Sequence, residues 1–390
     1  MKKDRLFKES KFSSHFSVED WNSLIKKKLG KYFKNETVLE ENKEILRTEI
    51  INFIRVSAKP EYFKLFEWTY SLIRDCLRDD KQKTINILAG SFYDTSNTDM
   101  IWMTNALIQP DPSEFSERDK ISYHFNVMDL ILEGVFKPRF ILIDKLAKFK
   151  LQRGIIDNSN IDFGKLVKDF PNEFVADASL LLKDPIYSLS TNQWRNIAAH
   201  KSFNINKHDI TVEYGKSNIQ SRTIPFEDFY KIFYWTQDMY RAIRLAQVLT
   251  DLNYVKEIVT EIGGTENLTV RFESSLFHII HNMQIVGFEF VSTEEQADTF
   301  CLTVKSKKNH DLRSSIIHAS QCLDQLSCAI YDDKFVKDNF QKTKVCVIDE
   351  SLNKIACATV TIEVALKNAL SKINEEEYID NIEFEVKSSI

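Results

Sequence analysis

Apolar residues recur at spacings of three and four through "VEDWNSLIKKKLGKYF", "ENKEILRTEIINFIRV" and "PEYFKLFEWTYSLIRDCL". That period is helical, so residues 1–108 read as an N-terminal helical region. "QPDPSEFSERD" (Gln109 to Asp119) breaks the pattern with two prolines and several acids, and reads as a connection. The helical period resumes in "ISYHFNVMDLILEGVFKPRFILIDKLAKFK". There Pro138 predicts a kink or break, because proline has no N–H and crowds the preceding turn. After the turn-rich "QRGIIDNSN", "FGKLVKDF" and "FVADASLLL" read as helical pieces leading to "STNQWRNIAAHKSF" (Ser190 to Phe203). "HDITVEYGKSNIQSRTIPF" then alternates with period two about Gly215, Lys216, Ser217 and Asn218, which predicts a hairpin. "EDFYKIFYWTQDMYRAIRLAQVL" returns to a strong helix, and its aromatic residues at helical spacing read as core.

The pattern changes after "EIGGTEN" (Glu261 to Asn267). "LTVRFE", "QIVGFEFV", "TFCLTVKS", "TKVCVID", "KIACATVTI" and "IEFEV" read as strands of period two. Between them "DLRSSIIHASQCLDQLSCAIY" reads as a helix, with Leu312, Ile316, Ala319, Leu323, Leu326 and Ile330 as its buried stripe. The expected organisation is multidomain: a helical region over 1–108, a mostly α-helical bundle over 119–260, and an α+β C-terminal domain over 266–390. A chain of 390 residues is too long for one ordinary core.

Composition narrows the classes. Hydrophobic residues at 43% and charged residues at 28% are the balance of a globular protein. A formal net charge of −5 argues against a basic coat for nucleic acid, although it leaves room for a local basic groove. No apolar run reaches the roughly 18 to 20 residues of a membrane span, and the charged N-terminus lacks a secretory pattern. A cytoplasmic protein without a membrane partner is the expectation. The six cysteines show no CxxC pair, so buried reduced thiols are expected rather than zinc or disulfides.

The chemistry concentrates in "RNIAAH". With Ser190 or Thr191 as N-cap, a helix would place Gln193, Asn196 and His200 on one stripe and Trp194, Ile197 and Ala198 on another. Arg195 lies off the imidazole stripe but reaches a shared anion. Ala198 and Ala199 would permit close approach of a second helix.

These residues resemble the motif of HEPN domains, in which an arginine, a polar residue and a histidine follow at short helical spacing. The resemblance covers residues 120–250. It implies a HEPN-like helical bundle and a metal-independent endoribonuclease of the kind found in toxin–antitoxin, abortive-infection and CRISPR-associated systems. Arg195, Asn196 and His200 would be catalytic, with Gln193 and Lys201 binding the RNA substrate and no cofactor or metal needed. A homodimer would set two such pairs around one phosphate, and a regulatory protein or phage-derived trigger would be a further partner. Histidine suits the proton transfers because its ordinary pKa, about 6.5, leaves both forms accessible at neutral pH. Arginine suits a phosphate because its planar fork donates two hydrogen bonds.

"RSSIIH" (Arg313 to His318) repeats the spacing, but the stripe through Leu312 and Ile316 leaves its Arg and His solvated. "RFESSLFH" (Arg271 to His278) has phenylalanine where the motif has a polar residue. The competing function is a non-catalytic HEPN-like dimer that binds RNA or protein as a sensor or assembly module. A metal-dependent nuclease would instead draw first on Asp129 and Glu133, one helical turn apart.

Overall fold

The computed structural model describes residues 18–108, 115–154, 161–216, 218–264, 272–285, 287–306, 312–348, 354–370 and 372–388. They fall into two compact units, one holding residues 25–264 and the other residues 18–24 and 272–388. The first is mostly helical; the second is α+β.

The helices leading to the break are α1 (Val18–Leu29), α2 (Glu36–Glu41), α3 (Lys43–Ser57), α4 (Pro60–Asp79) and α5 (Lys81–Ile108). Then come α6 (Glu117–Asp129), a π-helical segment (Leu130–Phe136), α7 (Lys137–Lys150), α8 (Phe163–Lys168), α9 (Ser179–Leu182) and α10 (Thr191–His200). A three-stranded antiparallel sheet follows, β1 (Phe203–Ile205), β2 (Asp209–Tyr214) and β3 (Gln220–Pro225), and then the long α11 (Phe226–Glu261). The predicted hairpin is thus extended by one strand. Its turn needs Gly215, which has φ +103° and would bring a Cβ to 2.4 Å from the Asn218 carbonyl oxygen.

α11 packs on α4 and α5, so residues 25–108 and 117–261 share one core. Phe229, Phe233, Trp235 and Tyr240 of α11 are buried in it, as the helical spacing predicted. Pro138 does not mark the break. The helix widens one turn earlier, over Leu130–Phe136, and the Lys137 N–H donates to Leu132 O, five residues back. Pro138 follows the widened turn directly, inside a helical run that continues to Lys150, and the helix is widened where a proline would otherwise crowd the preceding turn.

A polar network crosses this core. Asp99 of α5 accepts from Arg139 (2.5 Å), Arg244 (2.9 Å) and the Tyr240 hydroxyl (3.1 Å). Arg244 also donates to both oxygens of Glu49 at 2.8 Å, and Arg139 donates to Gln247 and to Thr95 O. Burial alone would raise the Asp99 carboxyl, but the two guanidinium groups outweigh it and hold it below its ordinary value. Asp251 is the odd member. Its Oδ1 is buried with no partner, and burial pushes the carboxyl up to about 7 against the pull of Arg139. Two arginines balance two carboxylates, so a third negative charge has no counterion.

The second unit is a five-stranded sheet, β4 (Phe288–Gln296), β5 (Thr299–Ser306), β6 (Lys342–Ile348), β7 (Lys354–Thr361) and β8 (Glu383–Ser388), in that spatial order. Only β5 and β6 run parallel, and the helical crossover between them allows it. The helices are α12 (Phe272–Ile285), α13 (Leu312–Ala319), α14 (Leu323–Asp332), α15 (Ile362–Ala369) and α16 (Glu375–Asp380). Ile316, Ala319, Leu323, Leu326 and Ile330 are buried against Leu302, Val345 and Ala358, while Leu312 is partly buried and Arg313 and His318 are exposed.

Two expectations are corrected here. The end of "LTVRFE" is not strand: Phe272 and Glu273 open α12, and Leu268–Arg271 lie outside the described residues. Phe272, Leu276, Ile279, Ile280 and Met283 bury one helical stripe, and Asp333 accepts the Phe272 N–H at 2.8 Å. The cysteines are not all reduced, because Cys346 and Cys357 form a disulfide between β6 and β7. Their register makes them direct cross-strand neighbours, which no spacing rule reveals. Cys76, Cys301 and Cys322 are buried free thiols.

Candidate active site

The motif helix α10 is seated by the loop before it. Asp184 is 1% exposed and accepts four hydrogen bonds. Oδ1 takes the N–H groups of Ile186 (2.9 Å) and Tyr187 (2.6 Å), and Oδ2 takes the Leu189 N–H (2.7 Å) and the Trp194 indole (2.9 Å). A buried carboxylate is tolerated because every lone pair has a donor. The loop is tight enough to hold Ser188 at φ +57°. Ser190 is the N-cap residue but makes no side-chain cap; Thr191 instead donates its hydroxyl to Leu181 O at 2.7 Å.

On α10 the two expected stripes appear. Trp194, Ile197 and Ala198 are completely buried; Gln193, Arg195 and Asn196 are half-buried, and His200 is exposed. Ala198 is therefore taken up by the chain's own core, and only Ala199 is partly open. Lys201 ends the helix in the left-handed region at φ +55°, which turns the chain into β1.

Arg195 is held by one residue outside the motif and one within it. Its Nε donates to Glu133 Oε2 at 2.7 Å and its Nη1 to Asn196 Oδ1 at 3.0 Å. Glu133 lies in the π-helical segment and also accepts from Lys137 at 2.7 Å. Burial alone would raise the Glu133 carboxyl, but the hydrogen bonds and charges of Arg195 and Lys137 hold it below its ordinary value. A π-helical widening shifts the side chains after it round the axis, and such turns gather at functional sites.

The other sequence candidates divide. Gln193 accepts the Gly215 N–H at 3.2 Å, so its carbonyl steadies the hairpin turn. Lys201 donates to Asn126 Oδ1 on α6. His200 makes no hydrogen bond or ion pair among the described residues, and its imidazole is open to solvent. The structure thus joins Arg195, Asn196, Glu133 and Lys137 into one cluster, with His200 at the exposed end of the same helix.

Sequence reasoning named Glu133 only as an acid for another mechanism and missed Asp184 altogether. The Glu133–Arg195 pair spans 62 residues of chain, beyond any local pattern. Asp184 carried a faint signal, an acid before proline in "DPIYSLS".

Chemically, the cluster can hold an anion through Arg195. Glu133 and Asn196 occupy Nε and Nη1 of Arg195, leaving Nη2 to donate to a phosphate oxygen. Among the described residues, no group of three or more His, Cys, Asp or Glu is placed to hold a metal ion, and no helix is long and apolar enough to cross a membrane. Compared with known proteins, the chain matches no family model, no curated protein and no solved structure.

Proposed function

We propose that the chain is a metal-independent endoribonuclease of the HEPN type, in a HEPN-like bundle, acting in the cytoplasm as a defence or toxin effector. One observation carries the reading. α10 presents a fixed guanidinium, Arg195, and an unpaired, exposed imidazole, His200, on one rigid element. In this mechanism His200 takes the proton of the RNA 2′-hydroxyl or protonates the departing 5′-oxygen. Arg195 donates to the phosphate oxygens as they gain charge. The products are a 2′,3′-cyclic phosphate and a 5′-hydroxyl, and DNA, lacking the 2′-hydroxyl, is spared. One Arg–His pair supplies only one imidazole, so two copies of the chain would complete the site.

The second reading, a HEPN-like module that binds RNA or protein without cutting, has its own support. Arg195 already has a carboxylate partner, as a purely structural arginine would. Incubating the purified chain with total RNA in EDTA separates the two. Cleavage that is lost in a folded His200→Ala variant supports the enzyme. A mobility shift without cleavage supports the binder. Cleavage that stops in EDTA and returns with magnesium overturns the assignment of Arg195 and His200.

A further inference from the structure

Three of the six cysteines share one face of the C-terminal sheet. Leu302, Val345, Val347, Ala356 and Ala358 pack into the core beneath the helices. By the alternation of the pleat, Cys301, Cys346 and Cys357 project from the other face, where they form a cluster of their own. They lie on β5, β6 and β7, three adjacent strands with Cys346 in the middle. On one side Cys346 is bonded to Cys357, directly opposite it at a Cα separation of 4.2 Å. On the other, its sulfur lies 3.7 Å from the free thiol of Cys301. None of the three is more than 6% exposed.

We propose that Cys301, Cys346 and Cys357 form a thiol–disulfide exchange site centred on Cys346, in which the cross-link passes between the β6–β7 pair and the β5–β6 pair. The arrangement is that of an attacking thiol, a central sulfur and a leaving sulfur on successive strands. In the exchange, the Cys301 thiolate forms a bond to Cys346 Sγ as the Cys346–Cys357 bond breaks. Cys357 leaves as a thiolate and takes up a proton equivalent to the one Cys301 released. No electrons leave the chain. Full reduction is a separate step, in which a dithiol supplies two electrons and two protons and is itself oxidised to a disulfide.

The surroundings set the pace of this chemistry. Burial raises the Cys301 thiol above its ordinary value, although the charge of Lys344, its partner in the β5–β6 register, pulls the other way. The nucleophile is therefore mostly protonated at neutral pH and exchange is slow, as suits a switch rather than a fast oxidoreductase. Because the free thiol sits against the bond, the cluster needs no incoming thiol to rearrange. This site lies in the C-terminal unit and does not rest on the nuclease reading.

The test uses the full chain, equilibrated in mixtures of reduced and oxidised dithiothreitol, quenched in acid, alkylated and peptide-mapped. In the wild-type chain the expected result is a reversible Cys346–Cys357 disulfide with a minor Cys301–Cys346 isomer. Cys357→Ser, checked for its fold by circular dichroism, should convert to the Cys301–Cys346 disulfide in the same mixtures. Cys346→Ser should form no link between Cys301 and Cys357, which sit on non-adjacent strands. Absence of the Cys301–Cys346 link from both the wild type and folded Cys357→Ser would overturn the proposal. So would a Cys301–Cys357 link in Cys346→Ser, because it would remove Cys346 from the centre.

Discussion

Replacing Asp184 by asparagine is the sharpest probe of how the motif helix is held. The carboxylate divides its four donors evenly, two on each oxygen. An asparagine keeps one oxygen and puts an NH2 where the other stood. Whichever way the amide turns, two buried donors face a donor. Each unsatisfied buried donor costs about 1–3 kcal/mol, and the two retained bonds lose their charge assistance. Relief of the desolvation of a buried charge offsets part of this. The net expectation is a loss of about 3 kcal/mol, a large share of the roughly 5–15 kcal/mol that holds most proteins folded. For a unit of this size that is a fall in Tm of about 6–12 °C. Trp194→Phe keeps most of the buried ring and removes a single bond, so its cost should be clearly smaller. Thermal and urea unfolding, followed by circular dichroism and tryptophan fluorescence, measure both. If Asp184→Asn lay within about 0.5 kcal/mol of wild type, the loop would not be anchored as described.

Glu133→Gln should cost little stability, about 0.5–1 kcal/mol, because the pair is partly open to solvent and screened, yet it should reduce cleavage through a less fixed Arg195. The Glu133 carboxyl is held below its ordinary value, so its contribution is present above the unfolded-state pKa and is lost as pH falls through the folded one. The difference between wild type and variant should therefore vanish in acid, and a difference persisting there would rule out the ion pair as its source. Asp251 has the opposite sign. Its carboxyl is pushed up to about 7, so the fold favours the protonated form, and stability falls as pH rises from the ordinary carboxylate range through 7. Asp251→Asn should be more stable than wild type at pH 8 and similar near pH 4, and identical Tm–pH profiles for the two proteins would refute it.

Much of the local structure was legible because it follows from period. The spacing of Trp194, Ile197 and Ala198 set the buried side of α10, and the Leu312–Ile330 pattern set the buried side of α13 and α14. Period fails where apolar residues are dense. "LTVRFE" alternates over six residues, yet Phe272 begins a helix because Leu276, Ile279 and Met283 complete a longer stripe. Pro138 was legible as a disturbance, but the π-helical widening that absorbs it upstream was not.

The sequence by itself determined the period of each long element and which residues share a helix. Arg195, Asn196 and His200 sit on one helix because Trp194, Ile197 and Ala198 recur among them at helical spacing and are buried. Tertiary structure alone decided what surrounds them. Glu133 and Arg195, Asp184 and Trp194, and Cys301 and Cys346 are each brought together by folding. Such pairs depend on helix crossings, on a loop closing over a buried carboxylate, or on strand register. Those features arise from the packing of whole elements, and a one-dimensional pattern carries the period of an element but not the identity of its neighbour.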